Sequence, residues 1–90
     1  MLNKFKVQLL KSIFNHFGRK TQYEKLCEEI EEMFRARNKK QEFEEMVDTW
    51  IVLTQFLVQD MPLFEEFLNF KINRTIDRMR TGYYEKEIEK

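Results

Sequence analysis

The chain has 90 residues, with sixteen basic and sixteen acidic side chains and a formal net charge of zero, which excludes bulk electrostatic attraction to nucleic acid or acidic lipid. Glycine and proline are typical of turns, and the chain has only two glycines and one proline, which favours a few long helices over many strands. We therefore expect an all-α protein with one domain spanning residues 1–90. The single cysteine, Cys27, excludes an intramolecular disulfide, and no apolar run is long enough for a membrane span, so we expect a cytoplasmic protein.

The first predicted helix runs from Leu2 to about His16 and ends at Gly18. Val7 and Phe14 fall on the side opposite its main apolar stripe, so we expect another helix or a second subunit to cover them. The stripe itself comprises Leu2, Phe5, Leu9 and Ile13.

The second predicted helix begins at Thr21, where Glu24 completes a capping-box pattern, and runs to about Arg37. A turn is predicted at residues 38–40. The predicted core stripe comprises Tyr23, Leu26, Ile30, Met33 and Phe34, and a neighbouring polar strip comprises Gln22, Lys25, Glu29 and Glu32. A site at the border of the interior would lie on that polar strip.

The third predicted helix runs from about Gln41 to Gln59 and is apolar nearly all round, which indicates a central helix that also meets a partner subunit. Its main stripe comprises Phe43, Val47, Trp50, Ile51, Thr54 and Val58.

The fourth predicted helix starts near Pro62 and continues to about Arg80. Its stripe comprises Phe64, Leu68, Ile72, Ile76 and Met79, beside a cationic row of Lys71, Arg74 and Arg78. The tail from Glu85 to Lys90 is predicted to be frayed or weakly helical.

Two carboxylate pairs stand out on the second and third helices. Glu29 and Glu32 are three residues apart, as are Glu45 and Asp48, so each pair lies on one helix face. If the two helices pack antiparallel, the four side chains converge, and a divalent cation is needed to offset their repulsion. Oxygen ligands alone favour Mg²⁺, or Mn²⁺, over zinc.

The motif Glu-Glu-x-x-Glu at 28–32, a twelve-residue spacer, and Glu-x-x-Asp at 45–48 resemble the signature of the MazG-like all-α nucleotide pyrophosphohydrolases. Phe17-Gly18 with Gln22 and Lys25, residues 44–51, and the basic stretch 70–78 look like the family's surrounding regions, especially in small bacteriophage-encoded members. The similarity spans about residues 17–78. It implies a four-helix MazG-like bundle that assembles as a homodimer or homotetramer.

The resemblance also implies an activity and a set of roles. Family members hydrolyse ribo- or deoxynucleoside triphosphates to the monophosphate and pyrophosphate with Mg²⁺. The metal ligands would be Glu29, Glu32, Glu45 and Asp48, and Glu28 would support the site or position water. Lys71, Arg74 and Arg78 would hold the pyrophosphate, since arginine binds phosphate oxygens in a bidentate manner.

Several alternatives stay open at this point. Gln22 and Lys25 are as consistent with capping or surface positions as with substrate contacts, and the cationic row could form salt bridges to nearby glutamates. Acidic runs on helices are most often solvated faces. A rival for the whole chain is a non-enzymatic helical module for oligomerisation or regulation. The spacing of the acidic and basic residues concerns only the binding of metal and phosphate, so it does not identify the nucleobase.

Overall fold

The computed structural model describes residues 2–82, and all of their regular structure is helical, which confirms the all-α prediction. The helices are α1 (Lys4–Phe17), α2 (Arg19–Phe34), α3 (Lys39–Leu57) and α4 (Met61–Arg80), with a short 3₁₀ helix at Val58–Asp60. The chain divides into two compact units, one ending at Gln59 and the other beginning at Asp60. The prediction for the tail from Glu85 lies outside the described residues.

Three of the helices are capped by an asparagine or aspartate side chain. Asn3, Asn38 and Asp60 each accept a hydrogen bond from the backbone N–H three residues later, at 2.8, 2.8 and 3.1 Å respectively. These contacts satisfy N–H groups that have no partner within the helix. The caps therefore fix where α1, α3 and α4 begin.

The start of α2 differs from the prediction. The capping box at Thr21 is wrong, because α2 already begins at Arg19, and its N-cap, Gly18, makes no side-chain capping bond. Gly18 has φ of 87°, a value that favours glycine, and its N–H donates to Phe14 O to close α1. One glycine thus ends one helix and starts the next. The turn after α2 lies earlier than predicted, over residues 35–38, since α2 ends at Phe34 rather than near Arg37 and Lys39 is already helical.

The first unit contains α1, α2 and α3, and α2 packs mainly against α3. These two helices run antiparallel, since Gln22 meets Gln55 near one end of the pair and Glu29 meets Asp48 farther along. Their shared interior is polar. The buried polar side chains are Gln22, Glu29, Thr54 and Gln55, and the buried hydrophobic ones among the described residues are Val7, Leu10, Val52 and Val58.

Much of each predicted core stripe is exposed, although Thr54 and Val58 of the α3 stripe are buried as predicted. On α1, Phe5 is 70% exposed, whereas Val7, on the side predicted to be covered by another element, is buried. The same correction applies to α2 and α3, whose exposed stripe residues include Tyr23, Phe34, Phe43, Val47, Trp50 and Ile51. The physical reason is that α2 and α3 direct their amide and carboxylate strips toward each other, which leaves the apolar stripes on other sides.

The second unit consists of α4 within the described residues. Asp60 caps it and Pro62 lies in its first turn, where the missing N–H is not needed. None of its residues is buried, and Leu68, Ile72 and Ile76 of its apolar stripe are exposed. No helix within residues 2–82 is both long and apolar enough to cross a membrane.

Candidate metal centre

The facing strips of α2 and α3 bring five carboxylates together. One group consists of Glu28, Glu29 and Glu32, and the other of Glu29, Glu45 and Asp48. In each group one carboxylate oxygen per residue lies within 4.8 Å of the others. Glu29 belongs to both groups, so the two are continuous. The structure therefore places all five acidic residues of the predicted site in one cluster.

Glu29 is the most enclosed of these side chains, with 5% of its surface exposed. Its Oε1 lies 2.9 Å from Lys25 Nζ, while its Oε2 is buried and has no hydrogen-bond partner. Glu45 Oε2 is buried and unpartnered in the same way. Buried carboxylate oxygens without partners cost free energy, and a cation between the helices would satisfy both.

The electrostatics of the cluster follow from this crowding. Burial raises the pKa of the Glu45 carboxyl, and its hydrogen bond with Glu32 and the charges of Glu32, Asp48 and Glu29 raise that pKa further. Burial and the neighbouring negative charges therefore favour the protonated form of Glu45. A divalent cation would reverse this effect by favouring the ionised form.

Lys25 is the cation at the edge of the cluster. Its Nζ lies 2.9 Å from Glu29 and 3.6 Å from Glu28, along one face of α2. The hydrogen bond to Glu29 raises the pKa of Lys25, with smaller contributions from the charges of both glutamates, against the opposing effect of burial. Lys25 is thus firmly charged beside Glu28 and Glu29. Its contact with substrate stays a prediction.

Gln22 has a partner that the sequence reasoning did not assign. Its side chain is buried, and its Nε2 donates to Gln55 Oε1 at 2.8 Å. Gln55 follows Asp48 by seven residues and so lies on the same strip of α3, and that shared strip was the available signal for the contact. A substrate contact by Gln22 stays a prediction, and its observed contact is within the α2–α3 interior.

The cationic row lies on α4, in the second unit. Lys71, Arg74 and Arg78 follow one another at helical spacing, and the guanidinium of Arg74 lies 5.3 Å from the centre of the Phe70 ring. This cation–π contact orients Arg74 along its own helix. That these three cations approach the carboxylates stays a prediction.

What the cluster can do chemically depends on its donor set. All of its donors are carboxylate oxygens, which are ligands typical of Mg²⁺, Mn²⁺ and Ca²⁺. In comparisons with known proteins, no family model, curated protein or solved structure matches the chain. The likeness to MazG-like enzymes stays a prediction based on the residues quoted above.

Proposed function

We propose that this protein is a Mg²⁺-dependent nucleoside triphosphate pyrophosphohydrolase, which cleaves ribo- or deoxynucleoside triphosphates to the monophosphate and pyrophosphate. Its role would be nucleotide-pool control or the removal of unwanted nucleotides. The observation that carries the proposal is the buried Glu29 carboxylate, which is shared by two acidic groups and has one oxygen without a partner. The MazG-like spacing of the two acidic motifs supports the same activity.

The charge balance supports a bound cation. Five carboxylates meet at the cluster, and Lys25 forms ion pairs with two of them, Glu28 and Glu29. One partly exposed ammonium group offsets only a small part of that charge. A divalent ion held by Glu29, Glu32, Glu45 and Asp48 would lower the repulsion and occupy the two unpartnered oxygens. Mg²⁺ fits this oxygen-only set, and Mn²⁺ fits it as well.

The donor set would suit one or two ions. Each acidic group offers three carboxylates, and Glu29 is common to both groups. Metal bound by these residues would supply the Lewis acidity that activates water and would offset the charge of the phosphates.

The protein's own side chains would then handle the substrate. Glu28 is exposed and belongs to the acidic cluster, and in this proposal it would orient a water molecule toward phosphorus. Lys25, on the same edge, would attract the triphosphate. The cations of α4, Lys71, Arg74 and Arg78, would hold the pyrophosphate as it leaves.

We propose a four-helix subunit that works as a homodimer or homotetramer in the cytoplasm. Many large hydrophobic side chains are exposed on the single chain, among them Phe5, Phe34 and Trp50. Their number exceeds what a small monomer normally leaves in water. Assembly would cover part of this surface.

The deciding experiment measures pyrophosphate release by the purified protein with Mg²⁺ across all ribo- and deoxynucleoside triphosphates. We expect Glu29→Gln to reduce turnover by at least about 100-fold, because it removes the ligand shared by both groups. Glu31→Gln is the matched control. Glu31 lies on the same helix but pairs with Arg35 on an exposed face, so its replacement should leave turnover unchanged.

Full turnover by the Glu29→Gln variant would refute the proposed site. If no nucleotide of the panel yields pyrophosphate but calorimetry still shows Mg²⁺ binding, the proposed substrate changes to a modified nucleotide. If there is neither pyrophosphate release nor Mg²⁺ or Mn²⁺ binding, the proposed enzymatic activity is refuted and the non-enzymatic helical module is favoured.

A further inference from the structure

The ion pair of Lys25 and Glu29 differs from an ordinary pair on a helix surface. Lys25 Nζ lies 2.9 Å from Glu29 Oε1, and the Glu29 side chain is only 6% exposed, whereas that of Lys25 is 45% exposed. The pair of Glu31 and Arg35 has the same spacing on the same helix, but its atoms are 3.6 Å apart and its side chains are 66% and 78% exposed. Exposed pairs of that kind are screened by water and contribute little. Lys25 instead pairs with a carboxylate inside the α2–α3 interior.

Glu29 is also the residue on which the whole acidic cluster depends, because it belongs to both acidic groups. Its Oε1 is paired with Lys25, while its Oε2 is buried without a hydrogen-bond partner, as is Oε2 of Glu45 on the facing helix. A buried oxygen without a partner points to a ligand that the chain does not itself supply. Lys25 therefore satisfies one oxygen of Glu29 and leaves the other to a cation.

We propose that Lys25 is the counter-ion of the metal-free cluster and competes with Mg²⁺ for Glu29. Its ammonium group carries one positive charge, whereas the metal ion carries two and is bound by several oxygens at once, so the ion can displace it. Glu28, whose carboxylate lies 3.6 Å from the same Nζ and is 58% exposed, gives the displaced ammonium group a second partner. Lys25 thus sets the Mg²⁺ concentration at which the site becomes occupied. The inference rests on the metal site of the proposed function but not on nucleotide hydrolysis.

A supporting role for Lys25 would have the opposite effect on metal binding. If Lys25 only oriented Glu29 for the metal, its loss would weaken Mg²⁺ binding, since residues that hydrogen-bond to metal ligands normally strengthen it. If Lys25 competes with the metal, its loss strengthens Mg²⁺ binding, because the ion no longer displaces another positive charge. The metal-free protein responds in the other direction. Without Lys25 both Glu29 oxygens lack a partner, so the metal-free variant is less stable than wild type.

Calorimetric titration of the full chain with Mg²⁺, in the absence of nucleotide, tests the sign of this effect. Lys25→Met nearly keeps the length of the side chain and removes its charge, and its dissociation constant for Mg²⁺ should be at least about fivefold lower than that of wild type. Lys25→Arg keeps the charge and should stay within about twofold of wild type. Arg35→Met is the matched control, because it removes one positive charge from a pair on the same helix whose glutamate belongs to neither acidic group. It should change the dissociation constant by less than about twofold.

Thermal unfolding by circular dichroism provides a second measurement. Lys25→Met should melt at a lower temperature than wild type in chelator and should gain more from saturating Mg²⁺. Three results would overturn the proposal: Mg²⁺ binding by Lys25→Met that is no tighter than that of wild type, an equal gain in affinity in Arg35→Met, or no Mg²⁺ binding by any of these proteins. Tighter Mg²⁺ binding by Lys25→Met, in a protein that releases no pyrophosphate from any nucleotide, would support the role of Lys25 and refute only the nucleotide activity.

Discussion

At the scale of single residues, Glu29 separates this cluster from an ordinary acidic helix face. An exposed carboxylate is hydrated by solvent and needs no partner within the protein. Glu29, by contrast, is buried, and only one of its oxygens is paired, with Lys25. Glu45 shows the same deficit on the facing helix. Such groups lower stability in the metal-free protein, which is the usual cost of a site built to bind a cation.

Glu45 gives a pH-dependent test of this idea without any nucleotide. Its pKa is raised in the folded protein, so the unfolded chain loses this proton first and folding stability falls as pH rises. This loss starts near the unfolded glutamate value, at about pH 4, and is complete above the folded pKa. Without divalent ions, we therefore expect Glu45→Gln to unfold at a higher temperature than wild type at neutral pH, with no difference below about pH 4.

Thermal unfolding by circular dichroism in chelator, from acid to neutral pH, would check the Glu45 prediction. Glu24→Gln, an exposed glutamate on α2, serves as the control and should follow the wild-type curve. Added Mg²⁺ should reverse the order at neutral pH, because wild type gains a ligand that the variant lacks. A wild-type protein that is more stable than Glu45→Gln in chelator would contradict a strained metal-free cluster.

At the scale of helices, periodicity predicted which residues share a face but not which face points inward. The four helices and the convergence of Glu29, Glu32, Glu45 and Asp48 were predictable, because three-residue spacing fixes each pair on its own helix. The buried faces were not, since α1 and α3 have apolar residues on more than one side. The polar strips of α2 and α3 lie inside through contacts across 33 residues of sequence, as between Gln22 and Gln55, and single-helix patterns contain no such information.

The Gln22–Gln55 contact gives a prediction about the α2–α3 pair. Gln55→Ala leaves the Gln22 amide buried without its partner, so we expect the free energy of unfolding to fall by about 1–3 kcal/mol. Replacing both residues with leucine removes the unmatched groups together, and this double variant should be more stable than Gln55→Ala. Urea unfolding measures the three proteins, with Gln8→Ala on the exposed side of α1 as the control. Equal stability of Gln55→Ala and wild type would show that the contact contributes nothing.

At the scale of the whole molecule, the hydrophobic content of the sequence and the kind of side chain that is buried do not agree for a monomer. The sequence is 42% hydrophobic, as in an ordinary globular protein, yet the first unit buries amide and carboxylate groups between α2 and α3 and leaves its apolar stripes exposed. Both facts agree if the hydrophobic core of the working protein lies partly between subunits. The acidic cluster would then be inside each subunit, and the apolar packing that supports it would be shared.

If the hydrophobic core is shared between subunits, folding and subunit assembly are expected to be coupled in a single equilibrium. An apolar groove between α1 and α3 is lined by Leu9, Ile13, Val47 and Trp50, among others. If this groove belongs to the subunit interface of the proposed dimer, unfolding also separates the subunits, and the melting temperature must rise with protein concentration. A tenfold increase in concentration adds about 1.4 kcal/mol per dimer, which for a dimer of this size raises the melting temperature by roughly 3–5 °C. Circular dichroism melts over a hundredfold concentration range would measure how the melting temperature depends on concentration. Phe34→Glu should keep the wild-type dependence, because Phe34 lies on α2 and does not line the groove. Leu9→Glu should melt at a lower temperature than wild type at every concentration, because its subunits associate more weakly. A wild-type melting temperature independent of concentration would mean that one chain is stable alone, with its groove open or covered from within.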